Sequence, residues 1–138
     1  MIQLAYMSSA SALLSRAELM DLLTRSRVNN ERQGVTGLLL YKDGNFLQII
    51  EADEVPARAL LQRILADPRH TGMTFLLDEP ITRRSFPDWS IGFRHLSDLE
   101  VQGLPGYSSL MNNTAAPRGL DDARANCRAL IEFFRSGR

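Results

Sequence analysis

Four polar side chains stand where apolar ones are expected: Tyr6, Ser26, Asn30 and Gln48. Gln48 is the sharpest case. It sits in the run Phe46-Leu47-Gln48-Ile49-Ile50, where the period-two alternation of a strand puts Phe46, Gln48 and Ile50 on one side. An amide buried there without partners would cost about 1–3 kcal/mol, so something must bond to it. A primary amide has two donors and a carbonyl with two lone pairs, which suits it to bridging a polar ligand and a second side chain. Tyr6 shares a face with Ile2 and Leu4 in an alternating N-terminal run, and Ser26 and Asn30 extend the helical stripe of Leu19, Leu22 and Leu23. Singly, each residue has an ordinary explanation: a core tyrosine with its hydroxyl at the rim, a helix-terminal asparagine, a glutamine bonded to backbone. Jointly, two on strands and two on a helix, they point to a polar ligand held between helix and sheet.

The elements that must position these groups follow from periodicity and turn chemistry. Residues 2–7 alternate as a strand. Ser15-Arg16-Ala17-Glu18 has capping-box spacing, and the helix it opens closes at Gly34. A strand over 35–41 leads into Lys42-Asp43-Gly44-Asn45, a hairpin signal, and then into the strand of Gln48. The spacing predicts a second helix over 54–66 with Ala57, Leu60, Leu61, Ile64 and Leu65 on one face, Pro56 in its first turn and Asp67-Pro68 as its stop. A fourth strand is expected over 73–78 and, after a loop at 80–88, a fifth in which Trp89, Ile91 and Phe93 alternate. Right-handed crossovers in this βαββαββ order put both helices on one face of a mainly antiparallel sheet, the α+β ferredoxin-like arrangement with an extra strand.

Beyond His95 the pattern changes. Gly103, Pro105 and Gly106 interrupt it, 112–119 reads as a loop, and period 3.6 returns through Leu120, Ala123, Cys127, Leu130, Ile131 and Phe134. The expected organisation is a domain over 1–95 and a helical extension over 96–138, whose apolar stripe would cover the free sheet face or another chain.

Composition narrows the function. In 138 residues, 16 basic and 16 acidic side chains cancel, which leaves no field to attract nucleic acid or an anionic membrane. The longest apolar stretch, 37–41, falls far short of the ~20 residues that span a bilayer. A first segment without a secretory pattern and a single cysteine, Cys127, lead us to expect a cytoplasmic protein. Cys127 lies on the apolar stripe and reads as a packed thiol. His70 and His95 lack the companions of a metal site, and Arg83-Arg84 reads as a solvated loop.

Five spans together resemble a known family: Leu4-Ala5-Tyr6, the stretch from Asn29 to Tyr41, Gly44-Asn45-Phe46-Leu47-Gln48, Asp67-Pro68-Arg69-His70, and the stretch from Phe86 to Phe93. In order and separation they look like BLUF domains, blue-light sensors using flavin, over roughly residues 1–95. The resemblance implies a flavin held noncovalently between the two helices, FAD being the expected form and FMN or riboflavin the alternatives. It implies a photoreceptor, not an enzyme. Gln48 matches the switch glutamine, Tyr6 the electron and proton donor, and Asn30 the side chain bonded to the ring's carbonyl and imide edge. Ser26, Arg63, Asp67 and His70 match positions that contact ring or tail. For Arg63 and Asp67 an exposed i, i+4 ion pair of ~0.3–0.5 kcal/mol is the plainer alternative. Light would draw an electron and a proton from Tyr6, and their return would leave the Gln48 amide rotated or tautomerised, which shifts the flavin absorption to the red.

At the fifth strand the chain departs from the family. The usual tryptophan-serine-methionine reads Trp89-Ser90-Ile91, and isoleucine has neither the flexibility nor the weak acceptor of a thioether. Trp89 and Ile91 are the expected relay, with photochemistry retained and output or dark recovery altered. Short family members commonly form homo-oligomers, so the expected outlets are an unidentified downstream protein and a change in assembly. Three rivals share the topology: a colourless ACT-like sensor of small molecules, an acylphosphatase, which needs an arginine phosphate cradle, and an RNA-binding sheet with a basic aromatic strand. Visible absorption separates all three from a flavin sensor.

Overall fold

The structure, a computed structural model, describes residues 1–11, 15–88, 92–105, 107 and 117–137. Among the described residues nine elements follow one another: β1 (Ile2–Ala10), α1 (Arg16–Gln33), β2 (Thr36–Lys42), β3 (Asn45–Ala52), α2 (Glu54–Ala66), β4 (His70–Pro80), β5 (Gly92–His95), α3 (Asp98–Gln102) and α4 (Pro117–Gly137). The chain divides into two compact units, Met1–His95 and Leu96–Arg138.

The first unit is built on a five-stranded sheet of order β4-β1-β3-β2-β5. β1, β2, β3 and β4 pair antiparallel, and β5 joins the edge parallel to β2. This is the ferredoxin-like α+β arrangement with an added strand. Local chemistry sets the joints. Ser15 and Glu18 close a reciprocal capping box at the start of α1, and Gly34 ends that helix with φ +68°. Asp43 and Gly44, both at positive φ, make the tight β2–β3 turn. Leu19 and Leu23 of α1 and Ala57 and Leu60 of α2 pack with Ile2, Leu4, Tyr6, Leu39, Tyr41, Phe46 and Ile50, so both helices cover the same sheet face. Arg58 ties α2 to β4 through a two-pronged pair with Asp78, at 2.7 and 3.0 Å.

Several expectations change. Leu65 is exposed rather than on the buried face of α2, because the stripe ends at Ile64 as the helix reaches its stop. β4 extends well beyond 73–78 in both directions, since β1 offers it partners from Ala10 to Ile2. β5 is described over Gly92–His95; the part of the expected fifth strand that holds Trp89 and Ile91 lies outside the described residues. Arg83 is exposed as expected, but Arg84 is half-buried and bonded: its guanidinium donates to Thr36 Oγ1 at 2.7 Å, to the Glu51 carbonyl at 3.0 Å and to the Gly34 carbonyl at 2.8 Å.

In the second unit, α3 was not expected; Ser97 and Glu100 cap it reciprocally, at 3.1 and 3.2 Å. α4 starts at Pro117, inside the segment that reads as loop, which a proline in the first turn permits. Ala123, Cys127, Leu130, Ile131 and Phe134 are buried, and the side chain of Leu120 lies outside the described residues. Among the described residues no helix is long and apolar enough to cross a membrane.

Candidate functional site

Tyr6 and Gln48 are direct partners in the β1–β3 ladder. Both belong to the sheet face covered by α1 and α2, and the Tyr6 hydroxyl donates to Gln48 Oε1. They are 4% and 8% exposed, so the bond forms away from bulk water, where it is strong and its loss is costly. The Tyr6 hydroxyl titrates well above the ordinary tyrosine range, mainly because burial disfavours the phenolate and further because Asp67 carries a nearby negative charge. The phenol therefore keeps its proton and acts as a donor.

Above this pair lies a cavity of about 390 Å³. Its floor is the sheet, through Tyr6, Ser8, Leu39, Phe46 and Gln48. One wall is α1, through Leu22, Leu23, Ser26 and Asn30, and the other is α2, through Leu60, Arg63 and Ile64. Asn30 is buried in the last turn of α1, where its own carbonyl accepts from the Val35 N–H at 2.9 Å. The Ser26 hydroxyl donates back to the Leu22 carbonyl at 2.9 Å. Arg63 reaches across to α1: with the Asn29 amide oxygen turned toward it, its guanidinium donates at 2.5 and 2.9 Å. Asp67 takes Arg69 instead, accepting from its backbone N–H at 2.9 Å and its guanidinium at 2.6 Å.

The structure thus brings Tyr6, Ser26, Asn30, Gln48, Arg63 and Asp67 to one cavity. His70 opens β4 opposite Ala10, and its side chain lies outside the described residues, as do Trp89 and Ile91 entirely. Sequence reasoning missed Ser8, Arg25, Asn29 and Arg69, all of which line the cavity. Ser8 was within reach, because the alternation Ile2, Leu4, Tyr6 continues to it. Its Oγ is a buried side-chain polar atom to which no group among the described residues supplies a bond.

Residues 1–92 match the family described as BLUF, sensors of blue light using FAD. This chain belongs to the BLUF family. The solved structures agree: the BLUF protein BlrB in its dark state superposes with a TM-score of 0.72 at 32% identity, over 93% of this chain and 95% of that one. A bacterial light-regulated adenylyl cyclase superposes at 0.73 with 34% identity, over 94% of this chain and 39% of that one. Among curated proteins, the photoactivated adenylate cyclase subunit beta of Euglena gracilis is 34% identical over 117 residues, 78% of this chain. The chain spans only 14% of that relative's length, and the cyclase activity in its name belongs to the whole relative. The BLUF assignment displaces the ACT-like, acylphosphatase and RNA-binding readings, and makes the chain a blue-light sensor that uses a flavin.

The BLUF cavity fits that group. Its walls are apolar enough to accept a flat ring, its floor carries an amide and a phenol, and the Ser8 hydroxyl lacks a bond that a polar ring edge can supply. Arg25, Arg63 and Arg69 on its lining suit a polar or anionic tail.

Proposed function

We propose that residues 1–95 form the flavin-binding sensor and that Gln48 and Tyr6 are its switch. The observation that carries this is the buried hydrogen bond from the Tyr6 hydroxyl to Gln48 Oε1 on the cavity floor. Asn30 and Ser26 from α1, with Arg63 and Asp67 at the far wall and His70 beyond, would hold the flavin. When bound and excited by blue light, a flavin is a strong oxidant. Tyr6 is the group beside the cavity that can give up an electron and, through Oε1 of Gln48, a proton. Gln48 has inequivalent ends, so reversal of its amide presents NH₂ to Tyr6 and turns the carbonyl to the cavity. The phenol then accepts where it had donated. Each exchanged bond is worth about 0.5–1.5 kcal/mol net, enough for a few of them to choose between two states close in energy.

FAD is the flavin we assign, because the family is defined by it. The output is a partner protein or a second copy of the chain, engaged through the extension 96–138. Relatives named as photoactivated adenylate cyclases support an effector beyond the sensor. The single cysteine, Cys127, suits a reducing compartment, and we place the protein in the cytoplasm. The test is the absorption spectrum before and after blue light in wild type and Gln48→Leu, with the released flavin identified by chromatography. A reversible red shift in wild type, lost in the variant while flavin is retained, supports the switch; a shift that survives the substitution overturns it.

A further inference from the structure

The switch pair uses one face of the β1–β3 ladder, and the opposite face of the same ladder carries a second buried polar pair. Gln3 stands opposite Glu51 as Tyr6 stands opposite Gln48, three residues along each strand. Glu51 is 0% exposed, and a carboxylate in that position is tolerable only when hydrogen bonds replace its water. Its Oε2 accepts from Gln3 Nε2 and from the Ser85 N–H, each at 2.9 Å. Its Oε1 accepts from the Phe86 N–H at 2.8 Å, and Phe86 is itself fully buried. The backbone carbonyl of Glu51 holds the Arg84 guanidinium, which also grips Thr36 and Gly34. Arg84, Ser85 and Phe86 are therefore fastened to β3 and to the start of β2.

We propose that Glu51 is a positioning residue of the photoswitch, the anchor by which β3 fixes the chain between β4 and β5. The inference rests on the Tyr6–Gln48 reading above. Gln48 and Glu51 are joined by a stretch of β3 locked in ladders on both sides, with β1 and with β2. A backbone adjustment that accompanies reversal of the Gln48 amide has no slack to absorb it sideways, and reaches the Glu51 carboxylate on the other face. There it meets two consecutive backbone N–H groups, an arrangement that a small shift makes or breaks as a unit. Past Phe86 the chain rejoins the sheet as β5, beside β2. Glu51 thus links the state of the cavity floor to where that chain lies, without touching the flavin cavity.

Glu51→Gln keeps the shape but offers an NH₂ where one backbone N–H needs an acceptor. The flavin and the size of the red shift stay as in wild type, because Tyr6 and Gln48 are intact. The thermal return in the dark slows by about fivefold, since the transition state for return lacks about one buried bond that it re-forms in wild type. Amide hydrogen exchange in flavin-loaded wild type supplies the second arm: Ser85 and Phe86 exchange faster in the light than in the dark. A normal red shift with a wild-type return rate in Glu51→Gln overturns the Glu51 inference alone. Should that variant not fold, equal exchange at Ser85 and Phe86 in light and dark overturns it. A wild type with no red shift overturns the switch and this inference together.

Discussion

Gly37 sits in β2 opposite Ile50, one residue from the strand partner of Ile49, with φ +154°. A Cβ added there would lie 1.9 Å from the Ile49 carbonyl oxygen and 2.9 Å from its carbon. Real Cβ contacts essentially never fall below 3.0 Å, so that oxygen must retreat by 3.0 − 1.9 = 1.1 Å. It belongs to backbone and cannot rotate away, so Gly37→Ala has to part β2 from β3. Two ladder bonds left unmade at about 1–3 kcal/mol each, with about 1 kcal/mol of backbone strain, put the loss at roughly 3–7 kcal/mol. For a domain of ordinary stability, about 5–15 kcal/mol, that is a large share. Gly34→Ala is the comparison, because Gly34 also has positive φ but nothing lies within 4 Å of its added Cβ. It costs only about 1 kcal/mol of strain. Urea unfolding of both variants measures the difference. Ile49 adjoins Gln48, so whatever Gly37→Ala protein folds also shows a diminished red shift. Equal losses in the two variants, or a Gly37→Ala loss below about 1 kcal/mol, would refute the clash argument.

Tyr6→Phe leaves Gln48 Oε1 without its donor and costs about 1–3 kcal/mol in urea unfolding, with loss of the red shift. Burial raises the Tyr6 pKa above its unfolded value of 10.0, so its contribution to stability is full below pH 10 and is lost as pH climbs through the folded value. The alkaline limb of a stability–pH profile is therefore shallower in Tyr6→Phe than in wild type, and identical limbs contradict the assignment. Ser8→Ala removes a buried hydroxyl that has no partner among the described residues: flavin-free protein is stabilised by about 1 kcal/mol, whereas flavin affinity falls about fivefold. Changes of the same sign in both forms would show that no ligand meets Ser8.

What could be read from the sequence was whatever chemistry is local or breaks a local rule. Ser15 with Glu18, Gly34, and Asp43-Gly44 specify their joints within a few residues of themselves. Gln48 and Tyr6 are visible as polar groups, each on the apolar face of its own strand; that both lie on the same side of the sheet comes from the β1–β3 register, which pairs them directly. Ser8 escapes because the expected strand stops at residue 7 whereas β1 runs on to Ala10, not because its signal is absent. Glu51 and Arg84 could not have been found this way. Ser85 and Phe86, whose N–H groups the Glu51 carboxylate receives, lie 34 and 35 residues along the chain, and Gly34 lies 50 residues from Arg84. Nothing near either residue announces a buried role. The same holds for Arg63, whose observed partner Asn29 lies on the other helix, while the local pattern offered only Asp67.

The most direct test is a light-minus-dark infrared difference spectrum of flavin-loaded protein carrying glutamine labelled with ¹³C at the side-chain carbonyl. Reversal of the buried amide predicts an isotope-sensitive shift of that carbonyl on illumination, present in wild type and absent in Gln48→Leu. A spectrum with no isotope-sensitive change, or one that persists in Gln48→Leu, would contradict it.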